Sequence, residues 1–177
     1  MKMADSFFLC FLLFILLNPS SSLANHASEL VNEVCVKTSN YTFCVESLYS
    51  DPHTPEADSY GLAVIAFRLA YINATTTRDY ILKLLKKASS NSSIRRNLQR
   101  CASDYYKAVS AIETAYNDLN SETFFELADL AAVASRSADD CEASYKRTRN
   151  SPFTSLNKAL KGLCEICVAI SKRFTGS

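Results

Sequence analysis

The chain has 177 residues, a formal net charge of +1 and no block of like charges. This balance excludes the strongly basic surface that nucleic acid or an anionic membrane would require, so we expect neither as a partner of the mature protein. The sequence has only three glycines and four prolines. So few turn-forming residues argue against a β-sandwich or β-barrel and for long helices.

The N-terminus has the three parts of a secretory signal peptide. Lys2 precedes an uninterrupted apolar run over 7–17, and Ser22-Leu23-Ala24 supplies small residues before a cleavage site. This run is too short to cross a bilayer, which takes about 20 residues. A buried N-terminal helix is the alternative, but the run has no polar face. We predict a signal peptide over 1–24 and a secreted mature domain over 25–177.

A short helical piece opens the mature domain. Residues 28–37 place four apolar side chains at helical spacing, and a second short element follows around 41–48. The segment 50–55, with the sequence Ser-Asp-Pro-His-Thr-Pro, then breaks the chain. The sequence therefore predicts an N-terminal helical hairpin over about 26–50.

Four long helical patterns follow, the first from Glu56 to about Lys87. Its apolar face includes Leu62, Ile65, Leu69 and Ile72. The second has a seven-residue repeat: Ile94, Leu98, Cys101, Tyr105, Ala108, Ile112, Ala115 and Leu119. The third and fourth have similar repeats: Phe124, Leu127, Ala131, Ala134, Ala138, Cys141 and Tyr145, then Leu156, Leu160, Leu163, Cys167, Ile170 and Phe174. Such spacing is typical of helices packed about 20° from parallel, so we predict an all-α fold with an up-and-down four-helix bundle over about 56–174.

Six cysteines lie in the mature domain, in a compartment where disulfides persist. Cys101 and Cys141 are equally distant from the predicted turn at Ser121, which places them at the same height of an antiparallel helix pair. Alanines on the third helix allow the close backbone approach that a disulfide needs. Cys35 and Cys44 flank the break of the hairpin. Of the fifteen pairings open to six cysteines, this geometry favours Cys35–Cys44 and Cys101–Cys141.

The segment Cys164-Glu165-Ile166-Cys167 is the one motif that suggests chemistry. A redox Cys-x-x-Cys pair usually opens a helix that follows a strand, whereas this pair lies in the middle of the fourth helical pattern. We interpret Cys164 and Cys167 as buried free thiols that pack as small apolar residues. A third disulfide and a thiol redox enzyme are the alternatives.

Other catalytic constellations are missing from the sequence. The only histidines are His26, at the start of the mature domain, and His53, in a loop, so neither a histidine base nor a zinc site is supported. There is no glycine-rich phosphate loop. We therefore predict a protein that is not an enzyme and needs no cofactor or metal. Three sequons, at Asn40, Asn73 and Asn91, are candidate N-glycosylation sites in a secreted protein.

Several short motifs, taken together, are specific to one plant protein family. They are Cys35-x8-Cys44 with Tyr41-Thr42-Phe43-Cys44-Val45-Glu46-Ser47-Leu48, Asp51-Pro52, Ala57-Asp58, Cys101, Cys141-Glu142 and Ser151-Pro152-Phe153-Thr154. The layout resembles the plant invertase and pectin methylesterase inhibitor family across nearly the whole mature domain. Within it, residues 51–62 look most like the subgroup of plane-tree pollen allergens described as invertase inhibitors.

This resemblance implies a helical hairpin plus a four-helix bundle with the same two disulfides. It also implies a partner, a target enzyme that the protein blocks as a 1:1 complex in the apoplast or cell wall, or alternatively in the vacuole. The target is open between pectin methylesterase and invertase. Invertase-blocking members carry Pro-Lys-Phe at the start of the third bundle helix, where this chain has Glu122-Thr123-Phe124. A secreted helical binding protein without inhibitory activity is a further alternative.

A partner-binding surface is predicted on the second and third bundle helices. Tyr105 and Tyr145 lie on the helix seam and should be buried. The predicted contact residues lie off that seam or at the N-terminal tip of the third helix: Tyr106, Glu122, Thr123, Phe124, Phe125, Asp129 and Arg136. Exposed aromatic side chains flanked by charges are typical of interface hot spots. Packing of Tyr106 and Phe125 against the hairpin is the alternative.

Overall fold

The computed structural model describes residues 28–90, 92–146 and 151–176. Within these ranges the chain is all-helical, with no β-strand: α1 (Glu29–Cys35), α2 (Tyr41–Tyr49), a 3-10 turn (Thr54–Glu56), α3 (Ser59–Lys87), α4 (Ser93–Asn120), α5 (Leu127–Ala143) and α6 (Thr154–Thr175). The predicted hairpin and four-helix bundle are confirmed. The predicted signal peptide lies outside the described residues, as do His26 and Asn91.

Helices α3 to α6 form the up-and-down bundle, in which each helix packs against the next and α6 packs back against α3. The predicted seam of α4 is buried from Leu98 to Leu119. Ile94 was placed on this seam by the repeat, but its side chain is 58% exposed. The reason is length: α4 has 28 residues and α5 only 17, so the first turn of α4 extends beyond the helix that would cover it.

The apolar face predicted for the first bundle helix is also partly wrong. Ile72 is 51% exposed, whereas Ala70 and Ala74 are buried. Two residues along a helix are about 200° apart, so the buried alanines lie on nearly the opposite side from Ile72. The small alanine side chains face the bundle, and Ile72 instead lines an apolar groove with Phe43 of α2 and Leu156 of α6.

The hairpin of α1 and α2 is closed by the Cys35–Cys44 disulfide, with the two Cα atoms 5.5 Å apart. It packs against α6, where Gly162 permits an unusually close approach. A Cβ atom at Gly162 would lie 2.5 Å from Cε1 of Phe43, so a larger residue here would require the Phe43 ring to move. The backbone N–H of Ser39 also donates a hydrogen bond of 2.8 Å to Glu165 Oε2. These contacts hold the hairpin on the fourth bundle helix.

A buried carboxylate fixes the corner between the hairpin and the bundle. The Asp51 side chain is 2% exposed and forms an ion pair with Arg68 of α3. It also accepts a hydrogen bond of 2.8 Å from the backbone N–H of His53. The Thr54 hydroxyl donates to the carbonyl of Leu48, at 2.5 Å. The turn predicted by Asp51-Pro52 is therefore an anchored corner of the fold.

The Cys101–Cys141 disulfide joins α4 to α5, with a Cα–Cα distance of 4.4 Å. Beside it, the Tyr105 hydroxyl donates to Asn157 Oδ1 at 2.8 Å, and Asn157 Nδ2 donates to Glu142 Oε2 at 2.6 Å. Burial raises the pKa of the Tyr105 phenol, which keeps it a hydrogen-bond donor. This network ties three bundle helices together.

Candidate partner-binding surface

The structure does not bring all the predicted contact residues together. Tyr106 is 53% exposed, and the Arg78 guanidinium of α3 lies over its ring at 5.5 Å from the centroid. Tyr106 therefore lies on the α3/α4 edge of the bundle. Arg136 lines a groove with residues of α6 and lies on the α5/α6 edge. Because α3 packs against α4 and α6 but α5 lies across the bundle, these two edges are opposite.

The seam tyrosines are buried as predicted, with Tyr105 0% and Tyr145 6% exposed. The predicted N-terminal tip of the third helix is wrong, because α5 begins only at Leu127. Glu122, Thr123 and Phe124 lie in the connection between α4 and α5. The periodicity extended the helix too far, since the same apolar spacing continues through a turn.

Phe124 and Phe125 have different environments at this end of the bundle. The Phe124 ring stacks on Phe174 of α6, with centroids 4.5 Å apart and planes 16° from parallel. Phe125 is 84% exposed, more than any other large apolar side chain described. Phe124 therefore anchors the connection, and Phe125 presents an aromatic ring to solvent.

Glu122 follows the C-cap of α4 in a conformation that normally favours glycine. Its φ is +55°, the one positive φ of a non-glycine residue in the described chain. The N–H of Glu122 bonds to the Leu119 carbonyl at 3.1 Å and that of Thr123 bonds to the Asp118 carbonyl at 2.8 Å. This is a Schellman cap with Glu122 in the left-handed position. A glutamate in this left-handed conformation lowers the stability of the folded protein relative to glycine.

Glu122→Gly is expected to raise the free energy of unfolding by about 0.5–1 kcal/mol, because glycine removes the left-handed strain. Urea denaturation of the variant and the parent measures the difference. Glu122→Ala is the matched control, since it removes the carboxylate but keeps the Cβ atom, and it should not stabilise the protein. Equal stabilisation by both variants would assign the effect to charge and not to backbone strain.

Of the three residues predicted on the outer side of the third helix, Asp129 and Arg136 lie on α5, whereas Phe125 precedes that helix, in the connection from α4. Asp129 and Arg136 are both exposed and two helical turns apart on α5, which places them on one face of that helix. Arg136 borders a groove of about 550 Å³ between the hairpin, α5 and α6, which we call the basic groove. Lys37 and Lys172 line the same groove. Sequence reasoning missed these two lysines because they are far apart in the chain.

Cys164 and Cys167 are buried in α6, and within the described ranges neither forms a disulfide. Burial raises the pKa of Cys164 to about 12, and that of Cys167 well above the ordinary thiol range. Both therefore stay protonated at neutral pH, whereas thiol exchange requires a thiolate. These environments favour the packing interpretation over the redox alternative.

The sequons have different surroundings. Asn40 is exposed and caps α2, its Oδ1 accepting from the Phe43 N–H at 3.1 Å. Its amide nitrogen is not used by this cap. Asn73 is half-buried on α3 and lines the apolar groove beside Ile72, with Oδ1 buried. Glycosylation at Asn40, Asn73 and Asn91 stays a prediction.

In the part of the chain that the structure describes, no cluster of three or more His, Cys, Asp or Glu side chains is arranged to hold a metal ion. None of the helices in those ranges is both long enough and apolar enough to cross a membrane.

A sequence profile described as "Plant invertase/pectin methylesterase inhibitor" matches residues 29–170, from the first turn of α1 almost to the end of α6. The chain belongs to this family. The family is one of enzyme inhibitors and not of enzymes, so the thiol redox alternative is not supported. The resemblance inferred from the cysteine spacing and the short motifs is thereby confirmed.

The relatives of this chain include proteins named as pectinesterase inhibitors and proteins named as inhibitors of fructosidase or invertase. A pectinesterase inhibitor of Actinidia deliciosa is 31% identical, over 98% of this chain and 96% of its own length. A cell wall/vacuolar inhibitor of fructosidase from Arabidopsis thaliana is 28% identical, over 92% of this chain and 93% of its own. A Platanus acerifolia relative, provisionally named as an invertase inhibitor, is 30% identical over 94% of this chain and 96% of its own.

Solved structures share the fold. The crystal structure of a mutant form of a pectin methylesterase inhibitor from Arabidopsis superposes with a TM-score of 0.70, covering 78% of this chain and 93% of that one. The sequence identity of the two is 24%, so this likeness shows the hairpin-and-bundle architecture alone.

Proposed function

We propose that this protein binds and blocks a plant cell-wall carbohydrate-active enzyme, either pectin methylesterase or invertase. The family match over residues 29–170 carries the proposal, because it covers the hairpin and nearly all of the bundle, with both disulfides. Relatives named for each of the two targets match over nearly their whole length and at similar identity. Both enzymes therefore stand as candidate targets.

The α5 side of the bundle is the contact surface in this proposal. It combines the exposed ring of Phe125 with Asp129, Arg136 and the neighbouring connection at Glu122 and Thr123. An aromatic anchor beside charged groups is the usual composition of a hot spot. The proposed complex is 1:1, with this side of the inhibitor facing one enzyme molecule. The predicted signal peptide and the two disulfides support secretion to the apoplast or cell wall, and the vacuole is the alternative.

An inhibition assay of the purified mature protein against both enzymes tests the function. Stoichiometric inhibition of one enzyme is expected, and calorimetric titration should give one inhibitor per enzyme molecule. If neither enzyme loses activity at micromolar inhibitor, the protein is a secreted binding protein without inhibitory activity, and the proposal is wrong.

Phe125→Ala tests the contact surface. Loss of a hot-spot ring should weaken binding by about 2 kcal/mol, or about 30-fold in the inhibition constant. The melting temperature should not change, because Phe125 is 84% exposed and packs little in the free protein. Tyr106→Ala, on the opposite edge of the bundle, is the matched control and should inhibit like the parent. If Tyr106→Ala weakened inhibition and Phe125→Ala did not, the contact surface would instead lie on the α3/α4 edge.

A further inference from the structure

Three cationic side chains from three separate elements meet at the basic groove. Lys37 follows α1, Arg136 lies on α5 and Lys172 lies near the end of α6. In the three described ranges, none of the three has an ion pair or a side-chain hydrogen bond, whereas Arg68 and Arg173 are both paired with carboxylates. The fold therefore gathers positive charge here without neutralising it.

The carboxylate that lines the groove does not cancel this charge. Glu165 Oε2 accepts the hydrogen bond from the Ser39 N–H, so Glu165 is engaged in holding the hairpin on α6. One carboxylate against three cations leaves a local excess of two positive charges in a protein whose overall charge is only +1. Such a local excess attracts an anionic group from solution.

The rest of the lining indicates the kind of anion. Ala132, Val168 and Ala169 provide small aliphatic side chains between the cations. The lining contains no aromatic ring against which a sugar could stack. An apolar floor with a charged rim is the general anatomy of a protein–protein contact. The exposed Phe125 lies in the connection that leads into α5, the helix that carries Arg136.

We propose that the basic groove binds an acidic segment of the target enzyme, with Lys37, Arg136 and Lys172 facing its Asp or Glu side chains. This inference rests on the proposed function and specifies the chemistry of the partner surface. The three cations lie at the solvent-exposed rim, so they act mainly on the association rate and on its dependence on salt. They attract the acidic segment before the apolar contacts form.

The test is a charge reversal with a charge-matched control. Arg136→Glu/Lys172→Glu reverses two groove cations, and Lys83→Glu/Arg100→Glu reverses two exposed cations outside it on α3 and α4. Association with the inhibited enzyme is followed at low salt and at about 0.15 M, where charges beyond about 8 Å are screened. The groove variant should associate at least 10-fold more slowly at low salt and lose the salt dependence of the parent. The control should stay within about twofold of the parent.

Equal slowing by both variants would show an effect of net charge and overturn the groove proposal, as would an unaffected groove variant. Melting temperatures of both variants confirm that they fold. A second arm titrates a synthetic Asp/Glu-rich peptide and an unesterified oligogalacturonate into the isolated protein. Groove-dependent binding of the peptide supports the proposal, and groove-dependent binding of the saccharide alone overturns it. Because this arm needs no enzyme, failure of the inhibition assay and failure of the groove are distinguishable.

Discussion

Replacing Cys101 and Cys141 together with alanine is expected to lower the free energy of unfolding by about 4 kcal/mol. The disulfide closes a loop with a sequence separation of 40, and the loss of unfolded-chain entropy on closing such a loop gives this magnitude. The seam residues remain, so the variant should keep its helical circular dichroism spectrum. Urea denaturation of the oxidised parent and the variant measures the change.

The matched control is the Cys35/Cys44 double alanine variant. Its loop is much shorter, with a separation of 9, so the same reasoning gives about 3 kcal/mol. Peptide mapping without reduction should recover both pairs and leave Cys164 and Cys167 as thiols. A larger loss from the hairpin disulfide than from the bundle disulfide would contradict the loop-entropy explanation.

Arg68→Met is expected to lower the free energy of unfolding by about 3 kcal/mol. Methionine keeps the apolar stem of the side chain but leaves the Asp51 carboxylate, which is 2% exposed, without its guanidinium partner. The backbone N–H of His53 remains as a donor, and Arg68 is itself 46% exposed, so the cost stays at the lower end for a broken buried pair. Chemical denaturation at neutral pH measures the change.

Asp51→Asn is the informative comparison for this pair. The amide oxygen can still accept from His53, and the remaining Arg68 charge can be hydrated because that side chain is half-exposed. We expect a cost of about 1 kcal/mol, comparable to one hydrogen bond. If Asp51→Asn were as costly as Arg68→Met, the loss of stability in both variants would come from altered packing of the corner and not from an unpaired buried carboxylate.

Local periodicity was sufficient to predict the architecture. The repeat from Leu98 to Leu119 matches the buried seam of α4, because core positions of a packed helix recur every three or four residues. Two of the errors lie at helix ends, where the apolar repeat continues past the packed part of the helix. Ile94 continues the repeat of α4 but extends beyond α5, so its side chain is exposed. Phe124 continues the repeat of α5 into the preceding turn, where the Phe124 ring packs on Phe174.

The apolar repeat could not predict which edge of the bundle each candidate contact residue lies on. The sequence indicated Phe125, Asp129 and Arg136 as off-seam residues of one helix, and the structure places Asp129 and Arg136 on α5 but Phe125 in the connection before it. It also indicated Tyr106, which lies on the opposite edge beside Arg78. A residue that lies off one seam can face either neighbouring edge, and only the order of the helices around the bundle decides which.

By itself, the sequence determined the helical class, the bundle with its hairpin, both disulfide pairs and the family. The class, the bundle and the disulfide pairs follow from spacing along the chain, since a helix converts regular spacing into a common face and equal distances from a turn into equal heights. The family followed from the resemblance of its short motifs. Only the tertiary structure revealed the basic groove, because its cations come from three separate parts of the chain. Lys37, Arg136 and Lys172 meet there because the hairpin packs on α6 at Gly162. In that packing the Phe43 ring occupies the space that a Cβ atom at residue 162 would need, a contact between residues more than a hundred positions apart.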